Sequence, residues 1–143
     1  MFSVKQAFKN RTVGFYIGLA AAVVALLGDI LYIAIDGADR TFTSAGFALV
    51  LVGAITELLV VFTEFRFAPL IPAAFYIGGF ALALNVALPS LSDVWNGVTF
   101  IGGNATLGVI FSATFLICAI AQTASCFMNQ RSAAGKETES AAE

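Results

Sequence analysis

Four long apolar runs divide the chain, and they constrain its fold more than any other feature. The runs cover residues 13–35, 45–62, 68–88 and 99–127, and short polar segments separate them. About 20 apolar residues in an α-helix suffice to cross the hydrocarbon core of a bilayer. The runs therefore predict an all-α integral membrane protein with four transmembrane helices. The short connections between them favour an up-down-up-down bundle.

The composition supports a membrane protein and excludes other classes. Of the 143 residues, 59% are hydrophobic and 11% are charged, whereas a soluble domain carries about 25% charged residues. A disordered chain would need low hydrophobicity and high net charge. The net charge of −2 offers no basic face for nucleic acid. We therefore expect the lipid bilayer as a partner, and no nucleic acid.

The polar segments set the domain boundaries. Residues 1–12 are predicted to form a cytoplasmic N-terminal segment, residues 13–128 the four-helix transmembrane domain, and residues 129–143 a disordered cytoplasmic tail. Pro69 and Pro72 fall in or beside the first turn of the third run, where backbone N–H groups lack intrahelical partners and proline is tolerated. The fourth run is longer than a bilayer needs, so its first residues are expected to lie in the interface.

The distribution of Lys and Arg predicts the orientation. Six of these residues lie in the N-terminal segment, the second loop and the tail, and a single one lies in the first loop. Lys and Arg concentrate on the cytoplasmic side of membrane proteins. Both termini are therefore predicted to be cytoplasmic, in a protein of the plasma membrane. The six are Lys5, Lys9, Arg11, Arg66, Arg131 and Lys136, and the seventh is Arg40.

Several kinds of active site are excluded by missing residue types. The chain has no histidine, the commonest general base and metal ligand. Ser-His-Asp relays, Cys-His relays and HExxH zinc sites therefore cannot form. No GxxxxGK[ST] or GxGxxG motif is present, and Cys118 and Cys126 are interpreted as buried free thiols. We expect neither enzymatic activity nor a bound metal or other cofactor.

Small residues at helical spacing predict which faces point inward. Such residues let helix backbones approach closely, and van der Waals packing then drives helix association in lipid. Bulky side chains are expected to face lipid instead. The predicted inward faces are Gly14, Gly18, Ala22, Ala25 and Asp29 in the first run; Gly46, Val50, Gly53 and Glu57 in the second; Ala74, Gly78, Ala81 and Asn85 in the third; and Asn104, Gly108, Phe111, Phe115, Cys118 and Gln122 in the fourth.

Five polar residues on these faces form the candidate site. Their depths predict an outer layer of Asp29, Asn85 and Asn104, and an inner layer of Glu57 and Gln122. No Lys or Arg lies inside any run. An ionised carboxylate there would cost at least about 2.5–3.5 kcal/mol, so we expect both acids to be neutral and to bond the amide side chains.

A short internal repeat suggests a duplicated helical hairpin. The tetrapeptide FYIG at residues 15–18 recurs at residues 75–78, and Glu57 and Gln122 occupy similar places near the ends of the second and fourth runs. Parallel repeats of this kind occur in membrane transporters. The alternative is a chance match in a sequence built from few residue types.

Two functions are compatible with the sequence. The leading hypothesis is a scaffold or accessory subunit of a membrane complex, which packs against itself or against a larger membrane protein. The alternative is a homo-oligomeric proton- or cation-linked transporter or channel that uses the intramembrane carboxylates. A membrane enzyme acting on a lipid or quinone would have to use Asp29 or Glu57 as its acid–base group. Asp36, Asp39 and Asp93, near the loops, are interpreted as solvated caps.

Overall fold

The structure, a computed structural model, is all-helical in the residues it describes, which are 8, 11–63, 65 and 67–128. The predicted tail lies outside this part of the chain, as does most of the predicted N-terminal segment. The four helices are α1 (Val13–Asp36), α2 (Ser44–Val60), α3 (Leu70–Asn96) and α4 (Ala105–Phe127).

Three of these helices are long and apolar enough to cross a membrane. They are α1, α3 and α4, with 24, 27 and 23 residues. The apolar helix α2 has 17 residues, which corresponds to about 26 Å at a rise of 1.5 Å per residue. An all-α chain with helices able to span a bilayer is therefore confirmed, with three helices of sufficient length.

The helix boundaries agree with the first two apolar runs and differ from the last two. α1 and α2 end within two residues of the limits predicted from residues 13–35 and 45–62. α4 begins at Ala105 rather than at residue 99, because Gly102 and Gly103 adopt positive φ angles just before it. Asn104 then caps the helix, and its side chain accepts a hydrogen bond from the Leu107 N–H at 3.1 Å.

The third apolar run ends at residue 88, before Pro89, but α3 continues through this proline to Asn96. Proline removes one N–H donor and crowds the carbonyl four residues earlier, but tertiary contacts hold the extension. The Ser90 hydroxyl donates to the Gly102 carbonyl at 2.7 Å. The helix stops where Gly97 adopts the left-handed conformation, at φ +66°, a common helix ending.

The helices pack so that α1 contacts α2 and α4, and α3 contacts the same two helices. Glycines allow some of these approaches. A Cβ atom added to Gly79 would collide with Val50, and one added to Gly53 would lie 2.8 Å from the Tyr76 ring. The centre is filled by alanine, aromatic and other buried side chains: Ala25, Tyr32, Val50, Ala54, Tyr76, Ala83, Phe111, Phe115, Cys118 and Ala119.

Two adjacent glycines of α3 test this packing. We expect Gly79→Ala to lower the free energy of unfolding by about 1–3 kcal/mol, because the new methyl group overpacks against Val50. Gly78→Ala is the matched control. Its Cβ would meet only the flexible end of Leu49, at 3.1 Å, and alanine favours the helix by about 0.5–1 kcal/mol. Unfolding by SDS in mixed micelles, followed by circular dichroism, measures both; equal losses would contradict the described interface.

Candidate functional site

Glu57 of α2 and Gln122 of α4 form a hydrogen-bonded pair inside the bundle. Glu57 is 4% exposed and Gln122 is fully buried. The Gln122 Nε2 group donates to Glu57 Oε2 at 2.6 Å and to the Pro69 carbonyl at 3.3 Å. Pro69 is the N-cap of α3, so one side chain joins three helices. The structure thus brings together the two residues predicted for the inner layer.

Gly18 of α1 also borders this site, so all four helices contribute to it. A Cβ atom at Gly18 would lie 2.6 Å from Glu57 Oε1 and 2.9 Å from the Ser125 hydroxyl oxygen. The Ser125 hydroxyl donates to the Gly14 carbonyl at 2.7 Å, which holds α1 against α4. We call Gly18, Glu57, Pro69, Gln122 and Ser125 the Glu57 cluster. A methyl group at Gly18 would therefore force the Glu57 and Ser125 side chains to move.

No Lys or Arg in the described part of the chain makes an ion pair with the Glu57 carboxyl group, whose hydrogen-bond partner there is the Gln122 amide. The guanidinium of Arg11 is directed elsewhere: it donates to the Val61 carbonyl at 2.9 Å and lies 4.7 Å from the centre of the Phe15 ring. A neutral acid and an amide can satisfy one another without a counter-ion, so the pair is suited to joining helices.

Two buried polar atoms near this level have no hydrogen-bond partner among the described residues. They are the Gln122 Oε1 atom and the Tyr76 hydroxyl group. The Tyr76 ring packs against Gly53, one helical turn before Glu57. The Gln122 Oε1 atom is therefore an acceptor of the cluster without a described donor, and the Tyr76 hydroxyl group of α3 has neither a described donor nor a described acceptor.

Asp29 is buried without a hydrogen-bond partner among the described residues. It is 1% exposed, and neither carboxyl oxygen has a hydrogen-bond partner among the described residues. Gly28, the preceding residue, faces Thr114 and Phe115 of α4. Burying a polar group without a compensating hydrogen bond is costly, so Asp29 is the least satisfied group of the candidate site.

The predicted outer layer of Asp29, Asn85 and Asn104 does not assemble. Asn85 lies on the exposed side of α3, and Asn104 is an exposed helix cap. The reason is the rotation of α3, which turns Ala74, Ala81 and Asn85 outward. The face that α3 buries instead carries Pro72, Ala73, Tyr76, Gly79, Ala83, Ala87 and Ser90.

The predicted packing residues follow the same division. Gly14, Gly18 and Ala22 of α1, Gly53 of α2 and Gly108 of α4 are buried. A Cβ atom at Gly108 would lie 2.8 Å from the Ala87 Cβ atom. Gly78 is half-buried, and its neighbour Gly79 makes the close contact between α2 and α3.

An apolar layer separates Asp29 from the Glu57 cluster. Gly18 lies beside Glu57, and Asp29 follows eleven residues later on α1, which corresponds to about 16 Å. Buried apolar side chains fill the bundle along this stretch, among them Ala22, Ala25 and Cys118. The two carboxyl groups therefore belong to separate polar regions.

Sequence reasoning missed a third polar region, at the C-terminal end of α1. The Tyr32 hydroxyl donates to the Thr41 carbonyl at 2.8 Å and accepts from the Thr43 N–H at 2.9 Å. The Thr41 hydroxyl donates to Asp36 Oδ2 at 2.6 Å. Asp36 is fully buried, so its interpretation as a solvated cap was wrong. The only signal was the spacing of Asp29, Tyr32 and Asp36 on one helix face.

The two copies of the FYIG repeat occupy different environments. Tyr16 is 49% exposed, whereas Tyr76 is fully buried. Gly18 belongs to the Glu57 cluster, whereas Gly78 faces Leu49. The duplication of a hairpin remains a prediction, and the two motifs do not have the same structural role.

The other features of the described chain offer little chemistry. Cys118 and Cys126 are buried free thiols, as expected. No group of three or more Cys, Asp or Glu residues in this part of the chain is placed to hold a metal ion. An open groove of about 680 Å³ on the outer surface is lined by apolar residues, which are Leu49, Phe65, Phe67, Leu70, Ile71, Ala74 and Phe75.

Comparison with known proteins provides no relative from which a function could be transferred. The chain matches no protein-family model, no curated protein and no solved structure. Its function must therefore be argued from its own residues.

The Glu57 cluster can be tested with two substitutions of similar volume. We expect Glu57→Leu to lower the free energy of unfolding by about 1–3 kcal/mol, because it removes the nearer of the two acceptors of the buried Gln122 amide and leaves only the Pro69 carbonyl at 3.3 Å. Glu57→Gln retains an acceptor oxygen and should stay close to the wild-type stability. SDS unfolding in mixed micelles measures both. If Glu57→Gln destabilised the protein as much as Glu57→Leu, a charge rather than a hydrogen bond would be holding the cluster.

Proposed function

We propose that the chain is a small membrane protein that acts as a scaffold or accessory subunit of a membrane complex, without catalytic chemistry of its own. The observation that carries this proposal is the closed Glu57 cluster, in which the Glu57 carboxyl group is used to join helices. A Cβ atom at Gly18 would lie 2.6 Å from the carboxyl oxygen, so the cluster is closely packed around this carboxyl group.

The arrangement that we propose has four spans in up-down-up-down order, with both termini on the cytoplasmic side of the plasma membrane. The excess of Lys and Arg, six against one, supports this orientation. Contacts at the two ends of the helices support the order. The start of α1 meets the end of α4 through Gly14 and Ser125, and the loop after α1 meets the loop before α4 where Gly103 faces Asp39 and Thr41.

The outer surface suits association with another membrane protein or with a second copy. Large apolar side chains are exposed along the described helices, for example Leu27, Ile77 and Ile117. The connections between the described helices are short, so most of the described chain lies in the bundle. A partner would therefore make its contacts through the helices, within the membrane.

A second candidate function, proton- or cation-linked transport, is favoured by Asp29 alone. Intramembrane ionisable residues mark transport paths in many membrane proteins, and both carboxyl oxygens of Asp29 lack a partner in the described structure. The apolar layer between Asp29 and Glu57 interrupts a path through a single chain. Asp29 is 1% exposed, so a homo-oligomeric transporter would have to open the bundle to give an ion access to this carboxyl group.

Flux measurements separate the two functions. We expect purified protein in proteoliposomes to conduct protons, Na⁺ and K⁺ no faster than protein-free liposomes do, and to migrate in native gels as an assembly larger than one chain. Asp29→Asn and Glu57→Gln are the matched variants. A flux that either variant abolishes would replace the scaffold with a transporter. A monomer without flux would contradict the homo-oligomeric transporter and self-association of the scaffold, and a different membrane protein would then be the scaffold's partner.

The orientation predicts which positions an impermeant reagent can reach. We expect Ala38→Cys, in the first loop, to react with an impermeant maleimide on intact cells, and Ser140→Cys, in the tail, to react only after permeabilisation. The unmodified chain is the control, because its two cysteines are buried and should not react. Labelling of Ser140→Cys on intact cells would contradict the proposed orientation.

A further inference from the structure

Helix α3 extends beyond its neighbours at its C-terminal end. Its 27 residues correspond to about 40 Å, whereas the hydrocarbon core of a bilayer is about 30 Å thick. Contacts with the neighbouring helices show which end of α3 carries the additional length. Gly108, in the first turn of α4, packs against Ala87, and Gly46, in the first turn of α2, packs against Gly79 and Leu82. The last turns of α3 therefore lie past the first residues of both neighbouring helices.

The extension and the loop after it carry an apolar surface. We call residues 91–101 the α3 tip. Trp95 and Phe100 are 88% and 90% exposed, so almost all of both side chains is free of contact with the bundle. The tip contains no Lys or Arg, and Asp93 is its one charged residue. The other exposed apolar residues of the tip are Leu91, Val94, Val98 and Ile101.

The tip is folded, which keeps these side chains outside. The Asp93 carboxyl group accepts hydrogen bonds from the Ile101 N–H at 2.5 Å and the Gly102 N–H at 3.4 Å. Ser90 bonds the Gly102 carbonyl, and Gly97 reverses the chain with a positive φ. The one charge is thus hydrogen-bonded to the loop backbone, and the exposed surface of the tip combines the apolar side chains with the uncharged Ser92, Asn96 and Thr99.

We propose that the α3 tip inserts into the interfacial layer of the bilayer and anchors this end of the bundle. The tip is continuous with a helix able to span the membrane, and tryptophan is enriched at the membrane–water interface. The lack of Lys and Arg means that apolar contact, rather than attraction to anionic headgroups, provides the binding. A lipid surface of zwitterionic phosphatidylcholine is therefore sufficient.

The anchor is linked to the rest of the bundle through Gly103. A Cβ atom there would lie 3.0 Å from both the Asp39 carboxyl oxygen and the Ser90 hydroxyl oxygen. The loop after the tip thus touches both the first loop and α3. Insertion of the tip would fix the depth of both connections at this end. The inference rests on the transmembrane placement proposed above, and not on the scaffold role.

Trp95 is the chain's only tryptophan, so its fluorescence reports on the tip in the unmodified protein. We reconstitute the full chain in phosphatidylcholine vesicles that contain lipids brominated either near the headgroup or near the chain ends. The expected result is blue-shifted emission, with a larger loss of intensity from the shallow bromines than from the deep ones. Aqueous iodide should quench weakly, and added salt should not change these results.

The control is a Leu27→Trp variant in a Trp95→Phe background, because Leu27 is exposed near the middle of α1. Its tryptophan should be quenched most by the deep bromines. If this control behaves as expected while Trp95 is quenched by iodide and not by bromine, the tip lies in water and the proposal is overturned. Blue-shifted Trp95 emission that neither quencher reduces would also overturn it, because a protein surface would then cover the tip. If the brominated lipids quench neither Trp95 nor the tryptophan at position 27, the transmembrane placement itself is wrong.

Discussion

The pairing of polar groups buried away from water is the constraint on which the rest of this bundle depends. A carboxyl group buried between helices cannot rely on solvent, so its partner must come from another helix. Gln122 provides that partner for Glu57 and also bonds the N-terminal cap of α3. In this geometry α1 comes so close that a Cβ atom at position 18 would displace the Glu57 and Ser125 side chains. The polar pair and the small residue are therefore parts of one packing solution.

Asp29 and Glu57 show how the same chemistry leads to different roles in one fold. Both carboxyl groups are almost completely buried, yet Glu57 has a hydrogen-bond partner and Asp29 has none among the described residues. The buried Asp29 carboxyl group can still form hydrogen bonds, and a water molecule inside the bundle could provide them. The scaffold role explains Glu57 well and leaves Asp29 without an assigned purpose, so Asp29 is the residue that separates the two candidate functions.

The lengths of the apolar runs were sufficient to predict α1 and α2, because each helix depends on its own residues. The Glu57–Gln122 contact could be predicted because both residues lie at a similar distance from the ends of their runs. The rotation of α3 could not be predicted in this way. Its sequence carries small residues on two neighbouring faces, and only contacts with Val50, Leu49 and Gly108 distinguish them. The end of α3 was also misplaced, because the effect of Pro89 depends on bonds from a loop that follows in the chain.

The connections of the described chain do more than join helices. Thr41 and Thr43 bind the Tyr32 hydroxyl, which fixes the start of α2 against the end of α1. Gly102 is bound by Ser90 and Asp93, which fixes the start of α4 against the end of α3. Gly103 then brings these two connections into contact. Because each loop is bonded to a buried or extended helix end, a force on one connection would be transmitted to all four helices. An anchor at the α3 tip would therefore act on the whole bundle rather than on one helix.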